Sequence, residues 1–110
     1  MKRTLLLALA LAVIPVTVDA QVTELAQLRA LAEQGNAVAQ YNLGYMYGNG
    51  YGVPEDHVLA YMWFNLSAAQ GVEVAQGNKD IIEQRMTREE IAEAQRMSRE
   101  WLEAHPPGGG

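Results

Sequence analysis

An internal repeat constrains the fold of this chain more than any other feature of its sequence. Residues 32–42 align without a gap to residues 68–78, an offset of 36, and seven of the eleven aligned positions are identical. A repeat of this period, made of helical segments and turns, is typical of a solenoid, in which each helix pair buries its apolar face only against its neighbours. The repeat therefore predicts an all-α fold, a short α/α solenoid of antiparallel helix pairs.

Hydrophobic periodicity between the turns predicts five helices, and no segment alternates convincingly like a strand. In the second helix, apolar residues cluster within one third of the helical circumference, which is expected to face the core. Tyr41 and Tyr45 then point the other way. The predicted helices lie near residues 22–34, 37–48, 55–70, 72–85 and 88–104, and the core-facing stripe of the second helix consists of Ala39, Leu43, Met46 and Tyr47.

Two later segments indicate which helix lies at the centre of the core and which helix ends the domain. Residues 58–69 are apolar almost all round, as expected for a helix that others cover on several sides. The last helix opens with a capping box formed by Thr87 and Glu90. Two prolines stop this helix, and residues 106–110 are expected to form a disordered tail. The residues expected on the core face of the last helix are Ile91, Ala94, Ser98, Trp101 and Leu102.

Small residues, a glycine turn, an aspartate and a tryptophan follow one another at a regular spacing in the middle of the chain. They occupy residues 43–53, Asp56, Ala60, Trp63 and residues 67–71. With this spacing the segment resembles the Sel-one-like repeat, a relative of the tetratricopeptide repeat. The resemblance implies a helical domain over residues 21–105, with one full repeat at about residues 36–71, a half repeat before it and a degenerate capping repeat after it.

The resemblance assigns mostly structural roles to the matching residues. A small residue such as Gly44 would let helix backbones approach closely, where a larger side chain would overpack the contact. Gly48, Gly50 and Gly52 are expected to make the turn, because glycine tolerates positive φ. The full set of repeat-structural residues is Ala39, Leu43, Gly44, Tyr47, Gly50, Gly52, Asp56, Ala60, Trp63, Ala68 and Gly71.

Residues 1–20 predict a cleaved signal peptide. They combine a positively charged start, an apolar stretch over residues 5–14 and a small-residue cleavage pattern over residues 18–20. A membrane-spanning helix is the competing interpretation, but it needs about 20 apolar residues, and Pro15 interrupts this run. We therefore expect a mature chain that starts near Gln21, is periplasmic or secreted, and is not inserted in a membrane after cleavage.

The composition argues against several classes of function. Residues 21–110 carry six Lys or Arg against twelve Asp or Glu, an unfavourable balance for binding phosphate backbones, so nucleic acid is not an expected partner. The chain has no cysteine, which removes thiolate metal ligands and a cysteine nucleophile. His57 beside Glu55 and Asp56 cannot face one ion as an i, i+4 pair would, so a plain helix start is favoured. No catalytic residue, metal or cofactor is predicted.

A binding surface is the remaining expectation. Tyr41 and Tyr45 lie one helical turn apart, opposite the core-facing stripe, and tyrosine is a common contact residue in interfaces. In solenoids of the related families this side lines a groove for a partner segment, and family members often serve in the cell envelope. The resemblance therefore implies a non-catalytic module that binds a protein or peptide partner through these residues. One or both rings could instead pack on neighbouring helices such as residues 72–85.

Other functions stay open on the sequence alone. Some cysteine-rich relatives are associated with binding penicillin-type antibiotics, which suggests a small hydrolase or antibiotic-binding protein as the alternative, but their cysteines are absent here and function belongs to sites, not folds. A module whose binding function has decayed is a further possibility. The segment over residues 22–34 aligns with the second helix of a repeat whose first helix is missing. Its open side suggests a homodimer or docking on a partner.

Overall fold

The computed structural model describes residues 18–107, and the described part contains five α-helices and no β-strand. The predicted all-α class and the order of the helices are confirmed. All predicted bounds agree within two residues except the start of the first helix, which lies at Val18 instead of residue 22. The helices are α1 (Val18–Glu33), α2 (Ala37–Asn49), α3 (His57–Ala69), α4 (Glu73–Glu83) and α5 (Arg88–Ala104).

The structure describes only part of the predicted signal peptide and of the predicted C-terminal tail. Most of the predicted signal peptide, residues 1–17, lies outside the described residues, as do residues 108–110 of the predicted tail. Residues 18–20 belong to the first turn of α1. Among the described helices, none is both long enough and apolar enough to cross a membrane.

Helix α3 is the centre of the core, as its apolar sequence predicts. It packs against α2, α4 and α5, whereas α1 packs mainly against α2. A helix with neighbours on several sides must be apolar around most of its circumference, and the Trp63 side chain in its middle is only 5% exposed. The buried residues of α3 are Ala60, Tyr61, Met62, Trp63, Phe64, Leu66 and Ser67.

Two glycines inside α2 allow it to approach its neighbours closely. A Cβ atom on Gly44 would lie 2.8 Å from Cδ1 of Phe64 and 3.2 Å from the backbone oxygen of Ala60, so no larger residue fits without movement of α3. Gly48 was predicted to belong to the turn, and this is wrong, because it is buried within α2. A Cβ atom there would lie 3.5 Å from Cδ1 of Ile82 in α4. Gly48 therefore lies at a close contact between helices.

The turn after α2 depends on the other two glycines, as predicted. Gly50 and Gly52 have φ values of 69° and 70°, in the left-handed region that side chains with a Cβ atom rarely adopt. The backbone N–H of Gly50 donates to the carbonyl of Met46 and closes α2. This turn leads directly to the start of α3.

Asp56 caps α3, because its side chain accepts the backbone N–H of Leu59 at 3.0 Å. Replacing Asp56 with alanine is expected to lower the free energy of unfolding by about 1 kcal/mol, the usual contribution of an N-cap. Asparagine retains an acceptor oxygen, so Asp56→Asn is the matched control and is expected to stay close to wild type. Urea denaturation followed by circular dichroism measures both. An equal loss in the two variants would contradict the capping role.

A buried amide network fixes the turn between α1 and α2 to the end of α3. The side chain of Gln40 is fully buried, and its Nε2 donates to the carbonyl of Ala32 at 3.1 Å. Its Oε1 accepts a hydrogen bond of 2.8 Å from Gln70 Nε2, which also donates to the carbonyl of Gly35 at 2.9 Å. Burying an unpaired amide costs about 1–3 kcal/mol of folding free energy. The network avoids this cost, and it also joins the two repeat copies.

The second repeat copy departs from the first at a core position. Lys79 occupies the place that Leu43 fills 36 residues earlier. Its Nζ lies 5.6 Å from the ring centroid of Tyr61 and donates to Oδ1 of Asn65 at 3.3 Å. A lysine can cover an apolar surface with its aliphatic stem while its ammonium group stays near water. This substitution suits a terminal repeat, which meets solvent instead of another neighbour.

Helix α5 closes the fold at its C-terminal end. The predicted capping box of Thr87 and Glu90 is present, and Ala94 and Ser98 are buried as predicted. Leu102 was also expected on the core face, and this is wrong, because its side chain is 46% exposed. It lies at the edge of the apolar stripe, in the last turn of the helix.

Candidate functional site

The solvent-facing side of α2 carries an uncharged surface. The spacing of Val38, Asn42 and Tyr45 places them on one side of the helix, and all three are exposed. No residue of α2 is charged, although the chain has a formal net charge of −5. Tyr51 lies in the turn beyond α2 and comes back beside this surface. We call the surface formed by Val38, Tyr41, Asn42, Tyr45 and Tyr51 the tyrosine face.

Three tyrosine rings form a row along this face. The ring centroids of Tyr41 and Tyr45 are 6.3 Å apart, and those of Tyr45 and Tyr51 are 5.8 Å apart. Tyr41 is half-buried because it also packs against Phe64 of α3, at 5.8 Å. Tyr45 and Tyr51 are 42% and 57% exposed. The row is therefore anchored in the core at one end and open to solvent along the rest.

Hydrogen bonds divide the five tyrosines into two sets. The hydroxyl of Tyr47 accepts from Arg29 at 2.9 Å, and that of Tyr61 accepts from Gln95 at 3.3 Å. The three hydroxyl groups of the tyrosine face make no hydrogen bond with any residue between 18 and 107. The Asn42 amide likewise has no partner there, so the face offers unused donors and acceptors to a ligand.

A cleft of about 640 Å³ adjoins the tyrosine face. It lies between α1 and the glycine turn, and Tyr51 and Gly52 belong to both the turn and the cleft wall. The other lining side chains are mainly apolar. Burial of apolar surface is the dominant favourable term in most protein association, so the cleft extends the area that a partner could cover. The rest of its lining is Gln21, Val22, Glu24, Leu25, Leu28 and Met46.

A second cleft, of about 760 Å³, lies between the end of α5 and the turn that follows α1. Nε1 of Trp101 donates to a carboxylate oxygen of Glu33 at 3.0 Å. The His105 ring stacks on Trp101 with centroids 3.9 Å apart, and its Nε2 lies 3.6 Å from the same carboxylate. These contacts connect the last helix to the first and pair the side chains of Trp101, His105 and Glu33 with one another.

The sequence-predicted residues fall into separate places in the structure. Tyr45 lies on the outer side of α2, whereas Tyr41 beside it is half-buried against Phe64, so one of the two rings packs on a neighbouring helix, α3. Tyr51, which was not predicted, joins them. The Glu55–Asp56–His57 segment is a helix start: Asp56 is the cap, and His57 Nε2 lies 2.6 Å from Glu55. Within residues 18–107, no cluster of three or more His, Cys, Asp or Glu side chains could hold a metal ion.

Comparison with known proteins agrees with this architecture. The sequence model of the Sel1 repeat matches residues 37–72, which contain α2 and α3. The chain is also similar to the crystal structure of a protective antigen present in uropathogenic Escherichia coli strains, which displays an SLR fold. The TM-score is 0.70 and the sequence identity 30%, over 82% of this chain and 19% of the antigen. The chain thus spans about a fifth of that protein's length. A search of curated proteins found no match.

Proposed function

This chain is a Sel1-repeat protein, and we propose that it binds a protein partner through the tyrosine face of α2. Sel1 repeats generally mediate protein–protein interaction, and the fold is typically a non-catalytic module. The observation that supports this particular surface is the row of three tyrosine rings, whose hydroxyl groups make no hydrogen bond within the described chain.

The physical chemistry of the face favours binding. Tyrosine contributes a large contact area at a small cost in side-chain entropy, and it is enriched among the residues that dominate interface energies. The interface core is typically poor in charged residues, and α2 has none. Covering the face therefore requires no charged group of α2 to lose its hydration.

Site-specific photo-crosslinking in the native host tests the proposal. A crosslinking amino acid is placed at Tyr45 or Tyr51, and a control is placed at Glu93 on the outer surface of α5. Glu93 is exposed and bonded to Arg96, whose hydrogen bond holds the pKa of the Glu93 carboxyl below its usual value. We expect one shared protein adduct from the two tyrosine positions and none from Glu93. Adducts that are identical at all three positions, in folded protein, would refute the assignment.

We further propose that the partner is met in the cell envelope, in regulation or assembly. The sequence of residues 1–20, with its positive start and apolar stretch, supports export. Cleavage after Ala20 would remove Asp19, whose carbonyl accepts the Thr23 hydroxyl at 2.9 Å. Mass spectrometry of the protein from separated cell fractions is expected to give an N-terminus at Gln21 in the periplasm or the medium. Uncleaved protein confined to the cytoplasm would contradict export.

Self-association through α1 is a separate proposal. Helix α1 packs mainly on α2, and it exposes the apolar side chains of Val22 and Leu31. A second copy could cover these side chains and gain stability through mass action. Light scattering at micromolar concentration is expected to show a dimer, and a monomer mass at the highest concentration reached would exclude it.

A further inference from the structure

A chemical modification site lies at the junction between α2 and the glycine turn. Asn49 is exposed, and of the five asparagines in the chain it alone is followed by glycine. The backbone nitrogen of the next residue can attack an asparagine side chain, and attack is easiest at glycine, which has no Cβ atom beside its nitrogen. We propose that Asn49 is converted to aspartate and isoaspartate, and that the glycine turn must open before this reaction occurs.

The reaction needs only this chain and water. The backbone nitrogen of Gly50 forms a bond to Cγ of Asn49, the bond from Cγ to Nδ2 breaks, and Nδ2 leaves as ammonia with the proton of the Gly50 nitrogen. Water then opens the resulting succinimide ring. Cleavage at Cγ gives aspartate, and cleavage at the backbone carbonyl gives isoaspartate, in which the chain continues through Cβ. Both products carry a carboxylate in place of the neutral amide.

The closed turn holds both reacting groups in hydrogen bonds. The N–H of Gly50, the nucleophile, donates to the carbonyl of Met46. Nδ2 of Asn49, the leaving group, donates to the carbonyl of Tyr45 at 2.8 Å. Because the Cα–Cβ bonds of a helix tilt toward its N-terminus, the Asn49 side chain is directed away from the Gly50 nitrogen. The reaction therefore requires local opening, and its rate follows the population of the open turn.

The product changes the tyrosine face, and this part of the inference rests on the proposed function. Asn49 lies one helical turn beyond Tyr45, on the same side of α2, and α2 has no charged residue. A carboxylate there cannot donate to the Tyr45 carbonyl. It is also unfavourable at the C-terminal end of a helix, where the helix dipole is negative. Conversion therefore destabilises the turn that positions Tyr51 and adds a charge to the binding surface.

Incubation of the folded chain at neutral pH, followed by peptide mapping and mass spectrometry, tests the inference. Mass spectrometry detects the gain in mass when the amide becomes a carboxyl group. The same chain unfolded in guanidinium chloride gives the rate without the fold. We expect conversion at Asn49 to be at least about tenfold slower in the folded chain. The other four asparagines are internal controls, and in guanidinium chloride they are expected to convert more slowly than Asn49.

Two alanine substitutions in the turn separate its opening from the chemistry. Gly50 and Gly52 have φ values of 69° and 70°, so alanine strains the closed turn at either position. Gly52→Ala leaves the Gly50 nitrogen unhindered and is expected to speed conversion in the folded chain about tenfold. Gly50→Ala puts a Cβ atom beside the nucleophile. It is expected to slow conversion in guanidinium chloride, and to convert more slowly than Gly52→Ala in the folded chain.

Three results would overturn the modification site. Equal rates in the folded and the unfolded chain would show that the turn does not protect Asn49. A Gly52→Ala variant that converts no faster than wild type would show that the reaction does not pass through the open turn. Faster conversion at another asparagine in guanidinium chloride would mean that the glycine neighbour is not decisive.

The effect on the tyrosine face is tested separately. Asn49→Asp is expected to lower the yield of the protein adduct captured by a crosslinker at Tyr45 in the native host. An unchanged yield would remove this effect and leave the modification site standing. If Tyr45 captures no protein even with Asn49 intact, the proposed function fails, whereas the conversion rates still decide whether Asn49 is modified through the open turn.

Discussion

Gly44→Val is expected to lower the free energy of unfolding by about 3 kcal/mol, at the upper end of the usual cost of overpacking. A Cβ atom at this position meets the Phe64 ring at 2.8 Å and the Ala60 backbone oxygen at 3.2 Å. The ring cannot move away freely, because Tyr41 packs against it. The contact between α2 and α3 must then open, and these two helices form the full repeat. Chemical denaturation measures the loss.

Gly77→Ala provides the matched control for this substitution. Gly77 also lies within a helix, but apart from its chain neighbours and the nearby backbone of that helix no atom lies within 4 Å of the position that its Cβ would take. Alanine there is expected to stabilise the protein by up to about 1 kcal/mol through its higher helix propensity. The two substitutions should therefore change stability in opposite directions. A Gly44→Val variant as stable as wild type would show that the two helices do not approach as closely as described.

Trp63→Ala is expected to lower the free energy of unfolding by about 3–5 kcal/mol, the typical cost of removing a large aromatic side chain from a core. Trp63 is 5% exposed and packs in the cluster shared by α1, α2 and α3. Trp101 touches its ring edge-on, with centroids 6.3 Å apart. Since small domains have a total stability of about 5–15 kcal/mol, the variant should be largely unfolded at moderate temperature.

Trp101→Ala is the comparison variant, because it also removes a tryptophan, but not one at the centre of the core. Trp101 is half-buried, and its indole N–H is bonded to the exposed carboxylate of Glu33. Its loss is expected to destabilise the protein less than the loss of Trp63. Thermal melts of the two variants, followed by circular dichroism, give the comparison. Equal destabilisation would mean that the core does not centre on α3.

The helices could be predicted from the sequence because their signals are local. The repeat could be recognised from its period of 36 residues, and the central helix from the apolar sequence of α3. Thr87 marked a helix start through a capping pattern that involves residues only three positions apart. Each of these features depends on a short stretch of chain, which explains why the predicted bounds were close to the observed ones.

The remaining features depend on contacts between distant residues. The bond between Trp101 and Glu33 joins residues 68 apart, and the hydroxyl of Ser67 donates to the carbonyl of Ala37 at 2.7 Å. Neither pairing has a periodic signal. Gly48 was misplaced because its closest neighbour beyond α2, Ile82, lies in a different repeat copy.

The candidate site was predicted in part for the same reason. Tyr41 and Tyr45 lie on one helix, so helical periodicity was enough to place them together. Tyr51 lies beyond two glycines, and its position depends on the backbone of the turn: its N–H donates to the carbonyl of Met46 at 2.9 Å. The pattern of three aromatic residues in positions 41, 45 and 51 is visible in the sequence, but only the turn geometry shows that the third ring continues the row.

Calorimetry with the purified partner identified by crosslinking measures whether the tyrosine face supplies the binding energy. Tyr45→Ala and Tyr51→Ala are each expected to raise the Kd about tenfold or more, equivalent to about 1.4 kcal/mol. Leu102→Ala, which removes an exposed apolar side chain of α5, is the control and is expected to bind like wild type. If both tyrosine variants fold normally and bind the partner with the wild-type Kd, the tyrosine face is not the binding surface.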